Sequence, residues 1–196
     1  MARRPSITRE QIIEVALDHF LNSGFEETTF NQIAKSLGVT QPALYSYFDN
    51  KMGLLEGCCL WAAQKVREFI DDQVDPREPA MKRLSQYIRG NLEFFRRHRR
   101  EAYAMSAVYF FAQTHEKLKQ AYDLIQANSL DRFEAAILQV SYERGKKIKN
   151  PRAAAELLHS LVIGEVYKVI HHPRQYKPQE RETFLMKASH AIFDMD

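Results

Sequence analysis

Apolar residues recur along this chain at spacings of three and four, the period of helices with one buried face. No stretch shows the period of two that marks a half-buried strand. Near the start, Ile12, Ala16 and Phe20 form one stripe with Ile13 and Leu17 beside it, which predicts a first helix from Ile7 to Ser23. Thr8, followed three residues later by Gln11, makes a capping box, Ile7 and Ile12 can staple it, and Gly24 supplies the stop. Thr29-Phe30-Asn31-Gln32 is a second capping box, opening a short helix that ends near Leu37, with Gly38 as the left-handed residue after it. Thr40 can cap a third helix, Gln41 to Phe48, with Pro42 in its first turn, where a missing N–H costs little. Asp49-Asn50 breaks the chain, and Asn50 can cap a long helix from Lys51 to about Gln73.

Asp75-Pro76-Arg77-Glu78-Pro79 is the clearest linker, and helical periodicity returns over 80–97, 101–113, 116–144, 151–171 and 179–195. The pattern predicts an all-α fold of about nine helices, three short and early, six longer and later. A three-helix N-terminal domain over 1–51 is followed by a helical domain over 52–196. With only seven Gly and seven Pro in 196 residues, the composition agrees with a mostly helical chain long enough to bury a core without metals or disulfides.

Cys58 and Cys59 are neighbours that rarely bridge each other, so they are expected to pack as small apolar residues in a reducing, cytoplasmic setting. No apolar run follows the N-terminus as a leader, and none reaches the eighteen residues of a membrane span. The histidines at 19, 98, 115, 159, 171, 172 and 190 lack metal-ligand spacing, and there is no phosphate-binding glycine loop or nucleophile elbow. The expectation is therefore a protein with no catalytic site, no metal and no cofactor. A helical-bundle enzyme would need inward carboxylate pairs or Glu-x-x-His sites, which are absent; a protein-interaction adaptor retaining the N-terminal helices is the other alternative.

Those first helices carry the candidate chemistry. Ala34, Gly38 and Leu44 suit two helices joined by a tight turn: a small residue for close approach, a glycine for the turn, and a plug between the helices. On the third helix, Gln41 can pair with adenine and Ala43 can touch a thymine methyl. Thr40, Tyr45, Ser46 and Tyr47 can donate to phosphate, and Lys51 opens a helix whose N-terminus also favours phosphate. Leu44 and Phe48 are expected in the core. Bulk charge does not make this argument: the net charge is only +3, and residues 1–50 hold four basic side chains (Arg3, Arg4, Arg9, Lys35) against six acidic ones (Glu10, Glu14, Asp18, Glu26, Glu27, Asp49). Positive charge has to come from Lys51, from an Arg3-Arg4 arm, or from the run Arg96-Arg97-His98-Arg99-Arg100, which can equally be a helix C-terminus capped by cations.

Residues 8–55 resemble the DNA-binding domain of the TetR family. The run Thr29 to Val39 resembles that family's second helix and turn, and Ala43 to Leu55 resembles its leucine-tyrosine, phenylalanine and lysine-leucine-leucine signature. The later helices match in layout only, as a ligand-binding and dimerisation domain. The resemblance implies that Thr29 binds phosphate, that Asn31 reaches base edges, that Thr40, Gln41, Pro42, Ala43 and Tyr45 face the major groove, and that Tyr47 and Lys51 grip the backbone. It implies a repressor that binds double-stranded operator DNA as a homodimer and is released by a small apolar or aromatic effector. Aromatic residues suited to an effector pocket are Trp61, Tyr87, Tyr103, Tyr109, Phe110 and Tyr122. Leu157, Leu161 and Gly164, with Phe184, Ala188, Ala191 and Ile192, offer apolar faces for a four-helix dimer interface.

Overall fold

The structure, a computed structural model, describes residues 7–194. The Arg3-Arg4 arm lies outside the described residues. Among them are nine helices and no strand: α1 (Arg9–Ser23), α2 (Phe30–Ser36), α3 (Gln41–Tyr45), α4 (Lys51–Gln73), α5 (Ala80–Arg97), α6 (Arg99–Phe111), α7 (Glu116–Arg144), α8 (Pro151–His171) and α9 (Pro178–Asp194). Both capping boxes form as the sequence implies, Thr8 with Gln11 and Thr29 with Gln32. The three glycines that must leave the right-handed region do so, at φ 85° for Gly24, 67° for Gly38 and 62° for Gly145.

α3 is shorter than its sequence suggests. It stops at Tyr45 because the Ser46 hydroxyl donates back to the Ala43 carbonyl at 2.7 Å and the Tyr47 N–H closes a three-residue turn onto Leu44. α6 begins two residues earlier than expected, directly after His98 caps α5.

The chain folds as two compact units. Unit 1 comprises Met1–Ala63 and Arg99–Tyr122, and unit 2 comprises Gln64–His98 and Asp123–Asp196. The division is not the single cut after residue 51 that the sequence suggests, because the first half of α4 and all of α6 bury their apolar faces with the three early helices. Ile12, Leu17 and Phe20 of α1, Ile33 of α2, Leu44 of α3, Leu54, Cys58 and Cys59 of α4, and Ala104 and Val108 of α6 share one core. Gly57 permits this packing: a methyl group there would lie 2.7 Å from the Phe48 ring, on which the Arg9 guanidinium stacks at 4.7 Å. The two thiols are fully buried, and burial pushes both well above the usual range, so they pack as neutral apolar groups.

Unit 2 has its own core. Leu84, Ile88 and Phe94 of α5, Phe133 and Ile137 of α7, Leu158 and Val162 of α8, and Leu185 of α9 are all buried. Gly90 of α5 lies against Ile70 of α4, where an added methyl would come within 3.2 Å of a side-chain carbon. Ion pairs fasten the rim: Arg89 to Glu182, Arg132 to Asp71, Arg152 to Asp131 and Glu134, and Arg181 to Glu165.

Candidate nucleic-acid interface

The outer surface of α3 is built from inside. Leu44 is fully buried between α2 and α3 and fixes the helix; Ala34 is buried opposite, as a close helix contact requires. With Leu44 turned inward, Gln41, Pro42 and Tyr45 are exposed and Ala43 is half-buried. The Tyr45 ring leans on Phe30 of α2 at 4.8 Å yet stays half exposed, which holds a polar hydroxyl outward on a stiff support. Thr40, Ser46, Asn31 and Thr29 are exposed as well. The Thr40 hydroxyl makes no capping bond to its own helix. Thr29 accepts the Gln32 N–H at 3.3 Å and donates to the Gln32 side chain at 2.9 Å.

Two of the expected backbone-gripping residues have structural partners. The Tyr47 hydroxyl donates to the Ile7 carbonyl at 2.5 Å, tying the approach to α1 onto the turn after α3. The Lys51 ammonium donates to the carbonyls of Phe25 and Glu26 at 2.8 and 2.9 Å and lies 4.5 Å over the Phe25 ring. Its hydrogen bonds therefore go to the turn between α1 and α2.

The basic run at 96–100 is largely engaged with carboxylates. Arg96 and Arg97 both bind Glu93 on their own helix, and the Arg96 guanidinium holds the Glu93 carboxyl below its ordinary range. His98 stacks on Phe94 at 4.4 Å. Arg100 reaches Asp18 of α1 at 3.3 Å. These pairs favour the reading of a capped helix end over that of a free positive field.

The aromatic candidates divide between the units. Trp61, Tyr103, Tyr109, Phe110 and Tyr122 belong to unit 1 and Tyr87 to unit 2. The Trp61 indole N–H donates to Glu10 at 3.0 Å and the Tyr103 hydroxyl accepts the Phe25 N–H at 3.2 Å, so both serve the packing of the early helices. Tyr109 and Phe110 are exposed, with Tyr109 edge-on to Tyr122 at 5.9 Å. Tyr87 is buried edge-on to Phe133 at 4.8 Å.

Sequence reasoning weighed His159 only as a metal ligand. It is buried on α8, edge-on to Phe133 at 5.6 Å, and its Nε2 has no hydrogen-bond partner. Asn91 is buried on α5, its amide donating to the Tyr87 carbonyl at 2.9 Å. The signal was present: His159 falls between the apolar residues Leu158 and Val162 on the inward stripe of α8.

Burial lowers the affinity of folded His159 for a proton. Above pH 6.5 neither the folded nor the unfolded chain holds that proton; below it, the unfolded chain gains a proton that the fold resists, so stability falls. His159→Leu is expected to remain folded and to lose part of the decline in melting temperature as pH falls below 6.5. Thermal unfolding of both proteins across that range is the check, and parallel curves would contradict the assignment.

On α8, Leu157, Leu161 and Gly164 are exposed, joined by Tyr167; on α9, Phe184 and Ala191 are exposed and Ala188 is half-buried. Ile192 departs from the expected set. It lies with Leu185 and Ser189 on the inward stripe of α9 and is buried within its own unit.

The fold and the exposed third helix define a class, an all-helical chain with a helix-turn-helix head. Residues 12–58 match the family described as bacterial regulatory proteins, tetR family, within the segment whose sequence resembles that family's DNA-binding domain. The chain is 37% identical over 68 residues to the probable acrEF/envCD operon repressor of Escherichia coli K12, a match covering 34% of this chain and 30% of that protein. It thus spans about a third of the length of that curated relative. The fold extends over nearly the whole chain: a putative transcriptional regulator from Pseudomonas aeruginosa PAO1 superposes with a TM-score of 0.85 at 17% identity, covering 98% of this chain and 93% of that one. The regulator FadR from Bacillus subtilis, solved in complex with stearoyl-CoA, superposes with a TM-score of 0.73 at 18% identity, covering 95% and 96%.

Proposed function

We propose that this chain is a DNA-binding transcriptional regulator, a repressor that binds a near-palindromic operator as a homodimer and leaves it when a small apolar or aromatic effector binds. The observation that carries the reading is the outward row on α3. Thr40, Gln41, Pro42 and Tyr45 stand exposed on a helix whose inner side is pinned by a buried leucine. Gln41 offers the amide that pairs with adenine, Ala43 a methyl for thymine, and Tyr45 and Ser46 hydroxyls for phosphate. Thr29 and Asn31 present the start of α2 to the adjacent backbone and bases. Lys51 serves mainly by fixing the turn between α1 and α2, and Tyr47 by tying the approach to α1 onto the turn after α3.

The exposed faces of α8 and α9 serve as the dimer contact, with Leu157, Leu161, Gly164, Phe184 and Ala191 forming a four-helix bundle with a second copy. A twofold dimer presents two α3 helices about one DNA turn apart, on the order of 34–36 Å. The effector site belongs to unit 2, where Tyr87, Phe133, Asn91 and His159 place polar atoms among aromatic rings; the stearoyl-CoA bound by a protein of the same fold supports a ligand with an apolar chain. Effector binding shifts α4 and spoils the spacing of the two heads. Effector and DNA then oppose each other by equal free energies. No helix among the described residues is long and apolar enough to cross a membrane, in keeping with a cytoplasmic regulator.

Leu161→Glu tests the dimer and the function together. Leu161 is 38% exposed, so the fold tolerates a charge there while a dimer face does not. Sedimentation should show a monomer, and operator affinity should fall roughly 100-fold or more as the linked second contact is lost. A variant that still sediments as a dimer with wild-type affinity would remove α8 from the interface.

A further inference from the structure

The turn between α1 and α2 is held from two other helices. Thr28 closes it, its hydroxyl donating to the Gly24 carbonyl at 2.8 Å and its N–H to the Phe25 carbonyl at 3.3 Å. Phe25, in the middle of the turn, is gripped by each of its groups. Its N–H donates to the Tyr103 hydroxyl of α6 at 3.2 Å. Its carbonyl accepts the Lys51 ammonium of α4 at 2.8 Å. Its ring lies 5.0 Å from Phe111 of α6 and 5.3 Å from Phe20 of α1. Four residues further on, Thr29 caps α2. Elsewhere along α6, Arg100 holds Asp18 of α1, and the Ala104 carbonyl accepts the Cys59 thiol of α4 at 3.2 Å.

We propose that α6 is a positioning latch for DNA reading: Tyr103 and Phe111 hold Phe25, and through this closed turn they fix the placement of Thr29 and the start of α2. The proposal rests on the regulator reading above. Tyr103 and Phe111 act at a distance, as positioning residues. The turn has little slack, because Thr28 is fully buried and its hydroxyl is spent on closing it.

The test uses the full chain and a duplex that the wild type selects from a random pool. Tyr103→Phe removes only the hydroxyl that accepts the Phe25 N–H, and Phe111→Leu removes the ring contact. Each is expected to keep the melting temperature within a few degrees and to lower operator affinity roughly 2- to 10-fold, the size of one lost hydrogen bond. The salt dependence should be unchanged, since no phosphate contact is removed. In Tyr103→Phe the Phe25 amide should exchange its hydrogen faster. Combined with Thr29→Ala, the affinity losses should fall short of their sum, because both changes act through one turn. Tyr109→Phe, on the same helix but away from the turn, should change none of these. Affinities within twofold of wild type in both variants, or strict additivity with Thr29→Ala, would overturn the latch and leave the regulator reading standing. A wild-type chain that selects no duplex would overturn the regulator reading. Unchanged exchange at Phe25 in Tyr103→Phe overturns the latch whether or not DNA binds.

Discussion

Leu44→Ala is expected to abolish operator binding by unfolding the head. Leu44 is fully buried, and it is the sole buried residue of a five-residue helix. Truncating a buried leucine costs about 2–5 kcal/mol, through lost transfer energy and the cavity left behind. α3 has little else to hold it, since its N-cap hydroxyl makes no capping bond and its end is a serine-closed turn. The expected result is a large fall in melting temperature together with loss of all DNA binding, specific and non-specific. Leu44→Met, which nearly conserves volume, should cost less than about 1.5 kcal/mol and keep binding. Circular dichroism melts and mobility shifts on both variants provide the check. A stable Leu44→Ala head that binds like wild type would mean α3 is not positioned from beneath.

Gln41→Ala should have the opposite character. The side chain is exposed, so the fold is untouched, and the loss falls on sequence discrimination. A bidentate amide–adenine contact contributes about 1–3 kcal/mol of discrimination, so preference at one base pair in each half-site should relax by roughly 5- to 150-fold. Affinity for unrelated duplexes and the salt slope should stay as they were, because no phosphate contact is lost. Measured affinities for every base at each half-site position give the answer. A uniform weakening across all sequences would place Gln41 on the backbone.

Much of the head was legible from local chemistry. Thr8 with Gln11 and Thr29 with Gln32 are capping boxes whatever surrounds them, and Gly24 and Gly38 stop helices by a conformation that other residues avoid. Leu44 and Phe48 were legible as core because helical period places them opposite the polar residues of α3. What was not legible depends on partners distant in sequence. Lys51 looked like a phosphate ligand, and only the fold brings the carbonyls of Phe25 and Glu26 to its ammonium. Gly57 is explained only by the fold, which brings Phe48 and Arg9 against it. Tyr103 and Trp61 looked like pocket aromatics for the same reason, their partners lying 78 and 51 residues away. The boundary between the units followed the burial of α6, which no linker composition marks. Ile192 was expected beside Ala188 and Ala191, yet it falls with Leu185 and Ser189 on the buried stripe of α9.

The net negative charge of the first fifty residues sharpens what binding should look like. Arg96, Arg97 and Arg100 face carboxylates, so specific contacts must come from hydroxyls, amides and helix termini on α2 and α3. The most direct measurement is selection of duplexes from a fully randomised pool by the full chain, followed by sequencing of the bound fraction. The account predicts one enriched motif, two inverted half-sites about one helical turn apart, whose preference at one base pair in each half-site is relaxed in a folded Gln41→Ala variant. A pool that emerges without enrichment, or a motif that Gln41→Ala selects equally well, would contradict it.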